Sequence, residues 1–416
     1  MPLLGLVDTA ILGHLENPNY LAAVAMGASL FTFVLWSFGF LRMGSTALVA
    51  QALGRQNQAD ILTIAQVSLS LAFSLGGLLL LLSPWLINLM IWAVDAVQDV
   101  TPLASEYLSI RFYAAPATLM NYCLLGVFIG LGNTRIPLIL LVCANGLNAA
   151  LNYGFVYYLH LGSAGVAWAS VLVEYLQLFA ALGFVWHCVF KQTSMALRPQ
   201  WSMWRRLSAR LLNLNFNLFV RTVLLLFTLA FFMSQGAQHS AALLSANAIL
   251  LNLLLFISNG LDGFAVAAES LVGRACGAGD RLLLRQAIAL SGQWSLVTAL
   301  LFTLALWLAH EPILLLLTSQ DEVLALLAQL DLWLIGLPLV GFASYWLDGV
   351  FVGLADGRTM RNSLLVAVLL VFFPLWWLSQ DWLYHGLWLA FYGFLSARAL
   401  WLLFKLRPAI NNAFAR

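Results

Sequence analysis

The chain has 416 residues, of which 62% are hydrophobic and 9% charged, with 16 tryptophans and a formal net charge of +2. A globular domain in water carries about 25% charged residues, so a soluble protein is excluded and an integral membrane protein is expected. The basic residues form thin loops rather than a patch interleaved with aromatics, which gives no footing to a nucleic-acid partner.

Apolar runs of the length that crosses lipid, roughly 20 residues each, follow one another along the whole chain. In order, twelve spans are predicted at 2–14, 22–52, 61–83, 102–131, 136–158, 164–189, 209–234, 241–272, 284–308, 323–354, 363–378 and 383–404. Two shorter apolar stretches, Pro84–Val94 and Pro312–Thr318, follow the third and ninth spans and are expected at the membrane interface. The eleventh span is short and contains Pro374. The first is shorter than its counterpart, the seventh, and at about 1.5 Å per residue it falls short of a hydrocarbon core roughly 30 Å thick. Its helix is therefore expected to begin upstream of Met1. No basic region precedes it, so it does not read as a signal peptide.

The charges alternate with the spans. Arg55, Arg135, then Lys191, Arg198, Arg205, Arg206 and Arg210, then Arg274, Arg281, Arg285, Arg358 and Arg361, and finally Lys405, Arg407 and Arg416 fall on one side. The opposite loops carry acidic residues such as Glu16, Asp95, Asp99, Glu311, Asp321, Glu322 and Asp381, and neither Lys nor Arg. Because basic loops stay in the cytoplasm, both termini and the connection 190–210 are expected there. The expected location is the bacterial cytoplasmic (inner) membrane.

The second half repeats the first. GVFIGLGNTR at Gly126–Arg135 returns as GVFVGLADGR at Gly349–Arg358. At a nearly constant offset Leu53-Gly54-Arg55 meets Val272-Gly273-Arg274, Asp60 and Gln66 meet Asp280 and Gln286, and Pro116 meets Pro338. Such a period marks a duplicated architecture. An even number of spans per half gives the halves one orientation, a parallel repeat. The fold class is thus all-α integral membrane, twelve transmembrane helices in two six-helix lobes. The expected divisions are an N-terminal lobe 1–190, a basic linker 191–208, a C-terminal lobe 209–405 and a tail 406–416. Within the repeated block, Gly126/Gly130 and Gly349/Gly353 are small residues one turn apart, which lets helices approach closely in lipid. The polar residues that follow read as a helix exit.

Charges inside the spans are the most informative residues. Asp8 lies in the first span, Glu174 in the sixth, Asp262 and Glu269 in the eighth and Asp348 in the tenth, with Arg42, Arg111, Arg221 and Arg398 also embedded. Each costs at least about 2.5 kcal/mol at a helix centre, so it must face a cavity, pair, or carry a proton. Asp8 sits near the external end of its helix, within reach of outside water, where a proton carrier is needed. Arg111, Arg221 and Arg398 read as snorkelling side chains or partners in structural ion pairs, in preference to a role in transport. Glu269 either has a functional role or pairs near the cytoplasmic helix end with Arg274; Asp262 lies deeper on the same face. Asn148 and Asn152, four apart, form a polar stripe that either lines a cavity with Asp8 or bridges helices. Cys123, Cys143, Cys188 and Cys276 read as packed thiols rather than a disulfide or metal set.

The stretch Leu6-Val7-Asp8-Thr9-Ala10-Ile11-Leu12-Gly13-His14-Leu15, followed by Ala22-Ala23-Val24-Ala25, resembles the first helix of the multidrug and toxic compound extrusion (MATE) transporters. Leu261-Asp262-Gly263-Phe264 through Glu269 and Leu347-Asp348-Gly349-Val350-Phe351-Val352-Gly353 resemble the DinF branch of that family. The resemblance covers essentially the whole chain. It implies two lobes around a central cavity that opens alternately to the two sides, Asp8 as the coupling carboxylate, and export of amphipathic or cationic compounds in exchange for protons or sodium. Many members have an aspartate near Asn152, and its absence here removes one candidate sodium ligand.

Proton coupling is preferred to sodium, since a hard cation wants several oxygen ligands and the N-terminal lobe offers Asp8, with Glu174 second. No cofactor or metal is expected, only a proton gradient, with sodium as the alternative. The partners are small-molecule amphipathic or cationic substrates, protons and the lipid bilayer, and the chain is expected to work as a monomer. Asp262 and Asp348 are expected to give the C-terminal lobe negative potential, with Trp36, Phe40, Tyr153 and Trp346 supplying apolar or cation–π surface. A lipid or polyisoprenoid-linked flippase is the rival reading. An enzyme is not expected, because no HExxH, GxSxG, Gly-rich phosphate loop or Asp-rich pair is present.

Overall fold

The computed structural model describes residues 18–94, 99–187, 201–237 and 241–415, and every regular element among them is helical. The first seven helices are α1 (Pro18–Trp36), α2 (Phe40–Gly54), α3 (Gln58–Val94), α4 (Thr101–Phe112), α5 (Ala115–Gly130), α6 (Arg135–Tyr153) and α7 (Gly162–Val185). The rest are α8 (Trp201–Ala237), α9 (Ala241–Ala278), α10 (Arg281–Leu317), α11 (Asp321–Gln329), α12 (Asp331–Gly353), α13 (Gly357–Val366), α14 (Phe373–Leu378) and α15 (Leu383–Phe414). Among the described residues 10 helical stretches are long and apolar enough to cross a membrane, and the pair α4 and α5, bent by 52°, makes 11. The chain is therefore a multi-pass membrane protein. The predicted first span, with Asp8, lies outside the described residues, as do Cys188 and residues 191–200 of the predicted linker.

The chain divides into two compact units, Met1–Val49 with Asn57–Leu211, and Ala50–Gln56 with Leu212–Arg416. In the first, α3 packs on α5, α1 on α4, and α7 on α4, α5 and α6. A small core forms there from Val24, Tyr107, Ile110, Val156, Val166 and Val171. In the second unit α12 lies against α9, α10 and α15, and its core gathers Phe232, Leu254, Leu334, Phe372, Trp388, Phe391 and Phe394.

Several boundaries differ from those predicted, and the spans predicted at 22–52, 102–131 and 323–354 are each made of two helices. Pro84–Val94 is not a separate interfacial piece but the end of α3, which runs through Pro84. Pro312–Thr318 continues α10 up to Leu317, after a break at Ala309 (φ −132°, ψ 16°). That break lies next to Leu308, whose carbonyl the Pro312 ring would otherwise strike. Residues 201–208, placed in the linker, form the first turns of α8. Around Pro374, a π turn over Ala367–Phe372 widens the helix ahead of the proline, as a residue with no N–H to donate favours.

The repeated block shows why it recurs. After α5, the Asn133 N–H bonds the Phe128 carbonyl at 2.9 Å, and after α12 the Asp356 N–H bonds Phe351 at 3.0 Å. Each closes its helix in a Schellman end. The same two side chains then open the next helix. Asn133 Oδ1 accepts from the Arg135 and Ile136 amides at 3.1 and 3.2 Å; Asp356 Oδ1 accepts from Thr359 at 3.2 Å. Between the exits, Gly132 (φ 75°) and Ala355 (φ 55°) take the same left-handed conformation.

Close packing by the glycines is equally paired. A Cβ on Gly126 would lie 2.4 Å from the Arg42 carbonyl oxygen, and one on Gly349 would lie 2.2 Å from that of Ala265. In each unit the glycine face of one helix thus sits on the backbone of another, and any larger side chain would separate them.

Candidate functional site

Polar side chains buried among apolar helices mark the sites where this fold departs from simple packing. In the first unit one group of them meets a face of α7. Ser170 and Glu174 are one turn apart, so they point the same way. Asn148 of α6 donates through Nδ2 to Ser170 Oγ at 3.2 Å, and Asn152 donates to Asn148 Oδ1 at 2.9 Å. Both asparagines are buried. One turn along α7, Glu174 is half-buried, and Asn121 of α5 donates through Nδ2 both to its Oε2 at 3.1 Å and to its backbone carbonyl at 3.0 Å. A ladder of amides, a hydroxyl and one carboxylate therefore joins α5, α6 and α7.

No Lys or Arg forms a salt bridge with Glu174 among the described residues. The nearby basic side chain on α4, Arg111, lays its guanidinium over the Phe31 ring, 4.4 Å from the centroid, where the ring face offsets part of its charge. Trp36, at the end of α1, is 45% exposed, and Tyr153 is exposed among Tyr157 and Tyr158, with centroids at 4.9 and 5.9 Å.

In the second unit the centre is Asp348 on α12. Arg221 of α8 and Arg398 of α15 both donate through Nη2 to the same oxygen, Asp348 Oδ2, the latter at 2.5 Å. All three residues are buried, with exposures of 6%, 6% and 1% for Asp348, Arg221 and Arg398. Three residues before Asp348, on the same face of α12, the Tyr345 hydroxyl accepts from Ser258 Oγ of α9 at 2.9 Å. Asp262, one turn beyond Ser258, is exposed and acts electrostatically on Tyr345, as do Arg398 and Asp348. Glu269 is buried, and its backbone carbonyl lies 2.9 Å from where a Cβ on Gly353 would be.

This geometry changes one expectation. Asp348 is expected to supply negative potential, but with two guanidinium groups on one carboxylate the set of three carries a formal charge of +1. Of the readings open for Arg221 and Arg398, both residues form the ion pair with a carboxylate rather than snorkel. Ser170, Asn121, Ser258 and Tyr345 did not stand out in the sequence as site residues. One signal was available for the last of these: Tyr122 and Tyr345 each stand four residues before the first glycine of the repeated block.

Residues 1–154 and 216–378 match the family model for MatE. The chain belongs to the MatE family. The DNA damage-inducible protein F of Escherichia coli (strain K12) is 39% identical over 402 residues, covering 96% of this chain and 87% of that protein. A probable multidrug resistance protein NorM of Acinetobacter baylyi is 27% identical, over 89% of this chain and 83% of that one. Among solved structures, a MATE in the bent conformation superposes with a TM-score of 0.87 at 19% identity, over 100% of this chain and 93% of that one. That likeness supports the fold. With the family and the membrane-spanning helices together, this MatE chain is a membrane transporter and not an enzyme.

Proposed function

We propose that this MatE transporter is a proton-coupled antiporter that exports amphipathic or cationic compounds by alternating access. Its place is the bacterial cytoplasmic membrane, with both termini in the cytoplasm, and it acts as a monomer. The observation that supports proton coupling is the contrast between two carboxylates. Asp348 accepts from two arginines, so a proton there would leave two buried cations without their counter-charge. Glu174 is held by the neutral amide of Asn121, and a proton there breaks no ion pair. Charge that changes during the cycle then belongs to the first unit, on Asp8 and Glu174. Protonation from outside removes that charge, alters how the polar face of α7 packs, and favours outward release; deprotonation toward the cytoplasm resets the carrier.

Sodium coupling is the second reading. The side-chain oxygens of Asn148, Asn152 and Ser170 gather on α6 and α7, and neutral oxygens of this kind suit a hard cation. Inverted vesicles loaded with an amphipathic dye separate the two. Transport is measured under a proton gradient and a sodium gradient imposed one at a time, for the natural chain, Asp8→Asn and Glu174→Gln. Proton-driven efflux that falls in both variants supports the proposal. Efflux driven by sodium alone replaces it with the second reading, and no efflux under either gradient favours a lipid flippase.

A further inference from the structure

The first turns of α8 carry an aromatic and basic patch apart from the polar sites described above. At about 1.5 Å per residue, the 37 residues of α8 extend nearly twice the roughly 30 Å of a hydrocarbon core. Three of its charged residues, Arg205, Arg206 and Arg210, stand in the first turns, and the stretch from Leu211 onward, whose one charge is the buried Arg221, is the membrane-crossing part. Trp201–Arg210 therefore stands at the level of the lipid headgroups.

One face of this segment is seated on the first unit. Leu207, Ser208 and Leu211 are buried, Thr63 Oγ1 of α3 donates to Met203 Sδ at 3.3 Å, and Arg206 reaches the buried carboxylate of Asp60 at 3.7 Å. The other face is open. Trp201 is 73% exposed and stacks on Trp204, with ring centroids 5.4 Å apart and planes 5° apart. Arg205, Arg206 and Arg210 are exposed beside them, and the Arg206 side chain remains 70% exposed in spite of Asp60. Arg205 has no carboxylate partner among the described residues.

We propose that Trp201, Trp204, Arg205, Arg206 and Arg210 form a docking surface for anionic phospholipid of the leaflet on the basic side of the membrane. Charge complementarity selects the occupant. Indoles settle at the boundary between headgroup and acyl chain, and a guanidinium fork matches a phosphate oxygen pair. Three arginines within two turns, next to a crossing helix, attract an anionic leaflet. Asp60, the carboxylate that Arg206 reaches, is buried beneath the patch.

The test uses the full-length carrier reconstituted in phosphatidylcholine bilayers with a minor fraction of phosphatidylglycerol. Spin-labelled phosphatidylglycerol and phosphatidylcholine are compared by electron paramagnetic resonance for their relative association with the protein, at low and at high salt. The natural chain is expected to prefer phosphatidylglycerol, less so at high salt. The triple variant Arg205→Gln, Arg206→Gln, Arg210→Gln is expected to lose that preference by about five-fold or more, and the matching triple Lys variant to keep most of it. Where the triple Gln variant melts early, Arg205→Gln alone decides, since Arg205 has no carboxylate partner among the described residues. Equal association of the two lipids with the natural chain, an unchanged preference in the Gln variants, or equal losses in Gln and Lys variants would overturn the proposal.

Discussion

Arg398 donates to the carboxylate of Asp348 across 2.5 Å, from α15 to α12, with 1% and 6% of the two residues exposed. Removing one partner of a buried ion pair leaves the other desolvated and alone, at a cost of about 3–5 kcal/mol. Here Arg221 shares the same oxygen, so Asp348→Ala strands two cations. Asp348→Ala is expected to lower the melting temperature in detergent strongly. The joint replacement of Asp348, Arg221 and Arg398 by apolar residues of similar volume should recover much of the loss. A melting temperature of Asp348→Ala equal to that of the natural chain would mean that the cluster contributes little to folding.

Glu174→Gln keeps an oxygen to accept the Asn121 amide, so the fold should hold. It removes the charge, and proton-driven efflux is expected to drop at least about ten-fold, the change that 1.4 kcal/mol in a barrier produces. Binding of substrate in the absence of a gradient should change far less. Undiminished efflux with an unaltered dependence on external pH would exclude Glu174 from coupling.

Gly349→Ala pushes a methyl to 2.2 Å from the Ala265 oxygen, whereas a Cβ at Gly146 meets nothing within 4 Å. Overpacking costs about 1–3 kcal/mol, and a backbone neighbour cannot swing aside, so Gly349→Ala is expected at the upper end. Gly146→Ala, inside α6, should instead gain about 0.5–1 kcal/mol from helix propensity. Paired melting curves of the two variants check the contrast, and similar shifts in both would contradict the packing argument.

Ala355 holds φ at 55° where its counterpart in the first half is Gly132. An L side chain in that conformation costs about 1–2 kcal/mol, and glycine returns part of this through unfolded-chain entropy. Ala355→Gly is expected to stabilise by about 0.5–1 kcal/mol, and Gly132→Ala to destabilise by a similar amount. Chemical denaturation in a mild detergent reads both; a destabilised Ala355→Gly would show that the turn is held by something other than its backbone conformation.

Much of the architecture was legible in the chain because lipid imposes one rule on sequence. Every backbone group must be satisfied within its own segment, so apolar length alone announces a helix. The helix ends were harder. Pro84 and Pro312 look alike as written, yet α3 runs through the first while α10 breaks at Ala309 before the second. What surrounds a proline decides whether its lost hydrogen bond bends the helix, and that surrounding is not local in sequence.

By itself the sequence determined that the chain crosses the membrane many times, that the block at Gly126–Arg135 recurs at Gly349–Arg358, and that Gly126, Gly130, Gly349 and Gly353 are placed for close packing. All of these rest on composition or on a repeat, which are properties of the chain read along its length. Only the tertiary structure decided what the embedded charges do. Asp348 and Glu174 are each a lone carboxylate in an apolar run. One lies between Arg221 and Arg398, brought from residues far apart in the chain, and the other meets the amide of Asn121. The state of a buried charge is set by what stands within a few ångströms of it, and here those neighbours come from other helices.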